Sequence, residues 1–97
     1  MIVEYHPAVG VEVDNARKYY NKKLPGLGEE FVEEFERQIH RVASSPKQWS
    51  VIQQGIRRAL LRRFPYVIYY KYVAPDRILI TVVKHQRRHP RYGIDRA

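Results

Sequence analysis

The stretch "KHQRRHPRY", Lys84 to Tyr92, gathers two histidines, a tyrosine and four formal cations in nine residues. Its chemistry suits phosphate. Cutting an RNA phosphodiester with its own 2′-hydroxyl needs a base, an acid for the departing 5′-oxygen, and cations for the charge that grows on phosphorus. His85 is the side chain here whose ordinary pKa, about 6.5, suits proton transfer at neutral pH. His85 and Tyr92 are therefore candidates for the proton transfers, with Arg87 and Arg62 as candidates for the charge. The bland reading of the same residues is an inert strand-end histidine and a solvated tail.

A second basic stretch, "RRALLRRF", sets arginines in pairs. On a continuous strand, alternation sends Arg58 and Arg62 to one face and Arg57 and Arg63 to the other. Four unpaired guanidiniums cannot all be buried, so the strand is expected near an edge, its arginines reaching a solvent-filled groove. The planar guanidinium fork takes two phosphate oxygens at once. Any one of these arginines alone reads as decoration of an edge strand. Arg57, Arg58 and Arg63 together with Arg88 and Arg91 read as an anion-binding, nucleic-acid-facing set. His85 and His89 stand four residues apart, but Pro90 and the strand context argue against zinc, and no cofactor or metal is expected.

The charge balance points the same way. Residues 1–50 carry seven Lys/Arg against eight Asp/Glu, and residues 51–97 carry eleven against two. The whole net charge of +8 thus resides in the second half, which implies an anionic partner there. With no cysteine, disulfides and thiolate metal sites are excluded. The longest strongly apolar run, "ILITVV", has six residues, far short of the ~20 that span a bilayer. The opening "MIVEYHP" lacks the pattern of a signal peptide. A cytoplasmic protein without membrane contact is expected, with residues 1–97 forming one domain.

The elements that must position these residues follow from periodicity. "IVEYH", Ile2 to His6, is a short strand closed by Pro7. Val9, Val13, Ala16 and Tyr20 recur on one helical face, and after the break "LPGLG" so do Leu27, Phe31, Phe35, Ile39 and Val42. "SSP", Ser44 to Pro46, stops the second helix. Trp49 then lies in a loop as a lid on the core. Three β-rich runs complete the chain: Ile56 to Phe64, Tyr66 to Val73 and Arg77 to His85. The turn Ala74 to Asp76 joins the last two, and Pro65 predicts a bulge or tight corner between the first two. The class is α+β in the order β-α-α-β-β-β, a helical hairpin on a small antiparallel-rich sheet. Alternation predicts one packed and one partly wet face for Tyr66 to Val73, and few apolar anchors are seen after Pro90.

"YYNKKLPGLGEEFVEEFERQIHRVASSP", "GIRRALLRRFPYVIYYKY" and "VVKHQRRHPRY", taken in order, resemble the RelE/ParE superfamily of toxins from bacterial type II toxin–antitoxin modules. The resemblance spans nearly the whole chain. It implies two helices packed on an antiparallel sheet and an acidic antitoxin, encoded next to the toxin, that covers the basic surface in a hetero-oligomer. It also implies one of two targets. RelE-like members enter the ribosome and cleave mRNA, whereas ParE-like members inhibit DNA gyrase without cutting. By resemblance to the first group, Arg58 and Arg62, Arg87 and Tyr92 match functional positions, while Val67 replaces an arginine of RelE. Ribosome-dependent mRNA cleavage is the favoured expectation, because the basic sheet, His85 and Tyr92 supply the parts. Gyrase inhibition is the alternative, and a non-toxic basic nucleic-acid-binding module a third.

Overall fold

The structure, a computed structural model, describes residues 1–96. Its elements are β1 (Ile2–Tyr5), α1 (Pro7–Lys23), α2 (Leu27–Ser44), β2 (Ser50–Gln53), β3 (Ile56–Leu60), β4 (Tyr66–Val73) and β5 (Arg77–His85). The sheet runs β1-β5-β4-β3-β2, antiparallel except for the β1–β5 pair. The predicted class, both helices and the three-stranded meander are present. β2 is an addition: "SVIQ" forms a hairpin with β3 through Gln54 and Gly55, both at positive φ. Four residues directly after Trp49 are too short a run for alternation to reveal.

Local chemistry explains the helix ends. Pro7 occupies the first turn of α1, where a missing N–H costs nothing, and His6 acts as the cap, its Nδ1 accepting from the Ala8 N–H at 3.1 Å. His6 thus has a structural task. Between the helices, Asn21 Oδ1 accepts from the N–H groups of Gly26 and Gly28 at 3.1 and 2.8 Å. Gly28 is required by approach, since a Cβ there would run into the Arg17 carbonyl of the neighbouring helix.

The apolar stripes meet one face of the sheet. Phe31, Phe35, Ile39 and Val42 of α2, with Val9 and Ala16 of α1, pack on Ile68, Tyr70, Ile78, Ile80 and Val83. Tyr70 is fully buried in this layer, and its hydroxyl donates to the Pro46 carbonyl at 2.6 Å. Burial pushes the phenols of Tyr70 and Tyr20 up to about 12. Since an unfolded tyrosine ionises at its ordinary 10.0, the folded chain holds protons the unfolded chain releases above that pH. Stability is therefore expected to fall as pH rises from 10 toward 12, read as a lower denaturant midpoint above pH 10 than below it. An unchanged midpoint across that window contradicts the burial argument.

The other face is partly covered and partly wet, as alternation predicts: Val67 and Tyr69 are buried, Lys71 is half-buried and Val73 exposed. Ile56, Val67, Tyr69 and Val82 form a second cluster closed by Ile94 and Tyr92 from the C-terminal segment. The segment after Pro90 is thus anchored. Gly93, at φ +72, brings the chain so close that a Cβ would strike Val82.

Side chains from the helices finish both long edges of this sheet. β1 pairs with β5 only from Arg77 to Ile80, and a register slip then leaves Thr81 without a partner on β4. Beyond that point the Val83 N–H donates to Glu12 Oε1 at 3.0 Å and the Thr81 carbonyl accepts from Arg96 at 3.0 Å. At the opposite side, β2 reaches β3 only as far as Arg58. There the Leu60 carbonyl accepts from Gln38 Nε2 at 2.9 Å, and the N–H groups of Arg62 and Arg63 both donate to Glu34 Oε2, at 2.6 and 3.0 Å. Glu12, Glu34 and Gln38 supply what a missing strand would.

Candidate functional site

That Glu34 contact corrects the reading of "RRALLRRF". Successive N–H groups of a strand point to opposite sides, whereas those of Arg62 and Arg63 converge on one oxygen, so β3 stops at Leu60 and residues 61–65 form a corner. The pairing of Arg58 with Arg62 and of Arg57 with Arg63 across two faces does not exist. Arg57 turns to the helix side and donates to the carbonyls of Lys47 and Trp49 at 3.0 and 2.7 Å, fastening the loop before β2. Arg63 pairs with Glu30 at 2.9 Å and lies over the Phe64 ring. Trp49 packs against the main core, as a lid would.

The corner meets the turn after β5. Tyr66 is paired with His85, and the Gln86 N–H donates to the Pro65 carbonyl at 2.8 Å. Exposed Arg62, Arg87 and Arg88 are thereby collected at one end of the sheet, with Arg91 on the following segment. Arg58 is exposed on the face that carries the C-terminal segment. Of the nine residues singled out from sequence, these five arginines present free guanidinium nitrogens: among the described residues none of them donates a side-chain hydrogen bond within the protein.

The two candidates for proton transfer are differently placed. His85 lies against Tyr66, ring centroids 5.4 Å apart, at the rim of the helix-side core. Its Nδ1 accepts from the Arg87 N–H at 3.0 Å, and His89 repeats the arrangement with the Arg91 N–H at 3.0 Å. A ring accepting at Nδ1 carries its neutral-form proton on Nε2, so no lone pair is left for a substrate hydroxyl. Tyr92 belongs to the opposite cluster, and its hydroxyl donates to Glu12 Oε2 at 2.8 Å. The guanidinium carbons of Arg88 and Arg96 stand 4.4 and 5.0 Å from its ring centroid. His85 and Tyr92 do not converge on one point.

Several residues that organise this end escaped the sequence reading. Glu12 receives Val83, Tyr92 and Arg96, the last as an ion pair at 2.9 Å whose side chains are only 16% and 11% exposed. Contact with Glu12 helps hold the Arg96 pKa above its usual value, against the opposing effect of burial. Among the described residues, buried Lys84 has no carboxylate partner. Its Nζ donates to the carbonyls of His89 and Pro90 at 2.9 and 3.0 Å and sits 4.2 Å from the Tyr69 ring centroid. The Tyr69 hydroxyl reaches the same Pro90 carbonyl at 3.0 Å. No periodicity marks Glu12 or Lys84, because each is used by a segment distant in space or bent back by proline.

Residues 3–90 match the model of a family described as the ParE toxin of the type II toxin-antitoxin system parDE. No curated protein matches in sequence. Among solved structures, a chain described as "Chromosomal ParDE TA system from P. aeruginosa" is similar in fold, with a TM-score of 0.76 and 17% identity over 88% of this chain and 95% of that one. The family match takes in every candidate site residue except Arg91 and Tyr92.

Proposed function

Since the chain belongs to the ParE toxin family of type II toxin–antitoxin systems, we propose that it arrests bacterial growth by binding and inhibiting DNA gyrase, and that an acidic antitoxin neutralises it. The observation that carries this reading over mRNA cleavage is that neither proton-transfer candidate is free. Nδ1 of His85 is held by the Arg87 N–H, and the Tyr92 hydroxyl by Glu12. What remains available is charge without a base: Arg62, Arg87, Arg88 and Arg91 at one end and Arg58 on the adjoining face. Such a surface suits an anionic or acidic target, and a guanidinium, a donor without a lone pair, supplies no base.

The reading is tested with purified protein in a gyrase supercoiling assay, beside a primer-extension map of cellular mRNA after brief expression. Supercoiling is expected to be inhibited with no new 5′ ends, and His85→Ala is expected to retain growth arrest. Discrete cuts in translated regions with supercoiling intact, abolished by His85→Ala, overturn the proposal and restore His85, Arg87 and Tyr92 as a nuclease site.

A further inference from the structure

The side chains that finish the sheet stop short of its β1 border. The parallel ladder uses Ile2, whose N–H donates to the Asp76 carbonyl at 2.7 Å, and His6, whose N–H donates to the Ile80 carbonyl at 2.8 Å. On a strand the N–H and C=O groups of alternate residues share one side, so Glu4 faces β5 with these two, and Val3 and Tyr5 turn theirs outward. Among the described residues no strand meets those groups. The border at β2 differs. A bulge between Val51 and Gln53 twists it away from pairing, whereas the register of β1 on β5 is unbroken. Glu4, the charge that would blunt β1, is drawn to Arg77 at 3.5 Å.

Apolar surface accompanies the free backbone groups. Met1, Ile2 and Tyr5 are each about half exposed. Met1, Val3 and Tyr5 alternate onto the face that carries the helices, where Val3 packs against the main core. Beside them a cleft of about 400 Å³ opens, lined by Met1 and Val3 and by Ile39, His40, Ala43 and Ser44 of α2. Its floor is apolar, and its rim carries the His40 ring and the Ser44 hydroxyl. A tyrosine matches such a lining, having an apolar body and a polar tip. The chain's own Tyr5 does not line it.

We propose that two copies of this chain pair antiparallel through β1, Val3 against Val3, so that Tyr5 of each enters the cleft of the other. In that register the two Val3 residues exchange both their hydrogen bonds, and the Tyr5 N–H donates to the carbonyl of Met1 of the partner subunit. On the other face Ile2 lies opposite Glu4 of the partner subunit. A register centred on Glu4 would set like charges face to face, and one centred on Tyr5 would carry the ring away from the cleft. The contact is isologous and closes at two copies. Nothing in it depends on the toxin reading.

The chain has no cysteine, so single introduced thiols report the register directly. Ile2→Cys and Glu4→Cys are both changes at exposed positions. In the paired strands their Cα atoms stand about 4.5 Å apart, within the span of a disulfide. Mixed and gently oxidised, the two variants are expected to give a covalent dimer that neither gives alone. Sedimentation equilibrium of the wild type is expected to show a reversible monomer to dimer transition. Tyr5→Lys is expected to weaken that association at least about tenfold, with Tyr5→Phe close to wild type. A wild type that stays monomeric, Glu4→Cys linking to itself as fast as to Ile2→Cys, or Tyr5→Lys associating as wild type does each overturns the proposal. So does a monomer whose introduced cysteines link only to a co-expressed antitoxin, which assigns the edge to that partner instead.

Discussion

Glu34→Ala is expected to lower stability by about 3 kcal/mol, because two backbone N–H groups lose their acceptor in a place water does not reach. Glu34 is 4% exposed, and its Oε2 holds both Arg62 and Arg63. The ion pair of Arg63 with Glu30 cannot substitute, since it lies at the surface and is worth little. For a domain of this size such a loss lowers Tm by about 15 °C or more. Glu34→Gln keeps one oxygen in place and is expected to cost about half as much. Thermal unfolding of the two variants beside the wild type checks this. A Glu34→Ala protein melting within a degree or two of wild type would mean that solvent reaches the corner and that Glu34 does not set it. Because the corner aims Arg62 and adjoins Gln86 through Pro65, the same variant is expected to lose growth arrest even where it remains folded.

Glu12→Ala is expected to act locally, freeing the C-terminal segment while the helical core persists. The variant removes the partner of a largely buried guanidinium, the acceptor of the Tyr92 hydroxyl and the acceptor of the Val83 N–H. Truncating one member of a buried ion pair costs about 3–5 kcal/mol when the other stays buried. Here Arg96 can escape by undocking, so the cost appears as opening of residues 86–96 and not as global unfolding. Trypsin reads this directly, since Arg87, Arg88 and Arg91 lie in that segment. Cleavage there is expected to accelerate about a hundredfold, the factor for roughly 2.7 kcal/mol of lost docking, with Tm shifted by only a few degrees. Glu12→Gln retains an acceptor for Val83 or Tyr92 and is expected to fall between. Unaltered proteolysis in Glu12→Ala would assign the anchoring to Lys84, Tyr69 and Ile94 instead.

Much of this molecule is legible in a single sequence, for a definite reason. Phe31, Phe35, Ile39 and Val42 recur at helical spacing, and the runs Tyr66 to Val73 and Arg77 to His85 match β4 and β5 residue for residue. These are repeated local patterns, where each residue reports the same environment as its neighbours one period away. Pro65 likewise announced the corner, because a missing N–H is a property of the residue itself. The family resemblance drew on the same long, regular segments. Charge asymmetry was additive and needed no coordinates.

What only the tertiary structure decided is where single side chains finish what secondary structure leaves open. Glu12 sits on the same helix as many solvated charges, yet it closes the edge of β5 some seventy residues on. Glu34 stands among Glu29, Glu30 and Glu33; its spacing of three from Phe31 sets it beside the apolar stripe, but nothing in the sequence says which groups it meets there. Its two hydrogen bonds nevertheless end β3 and move Arg62 and Arg63 off the strand on which alternation would place them. His85 and Tyr92, seven residues apart in sequence, are divided between opposite faces because the chain turns beneath Lys84 and folds back over Val82. A pairwise long-range contact has no period. It is decided by which unpaired N–H or carbonyl lies within reach once the sheet is assembled, and that is a property of the packed chain alone.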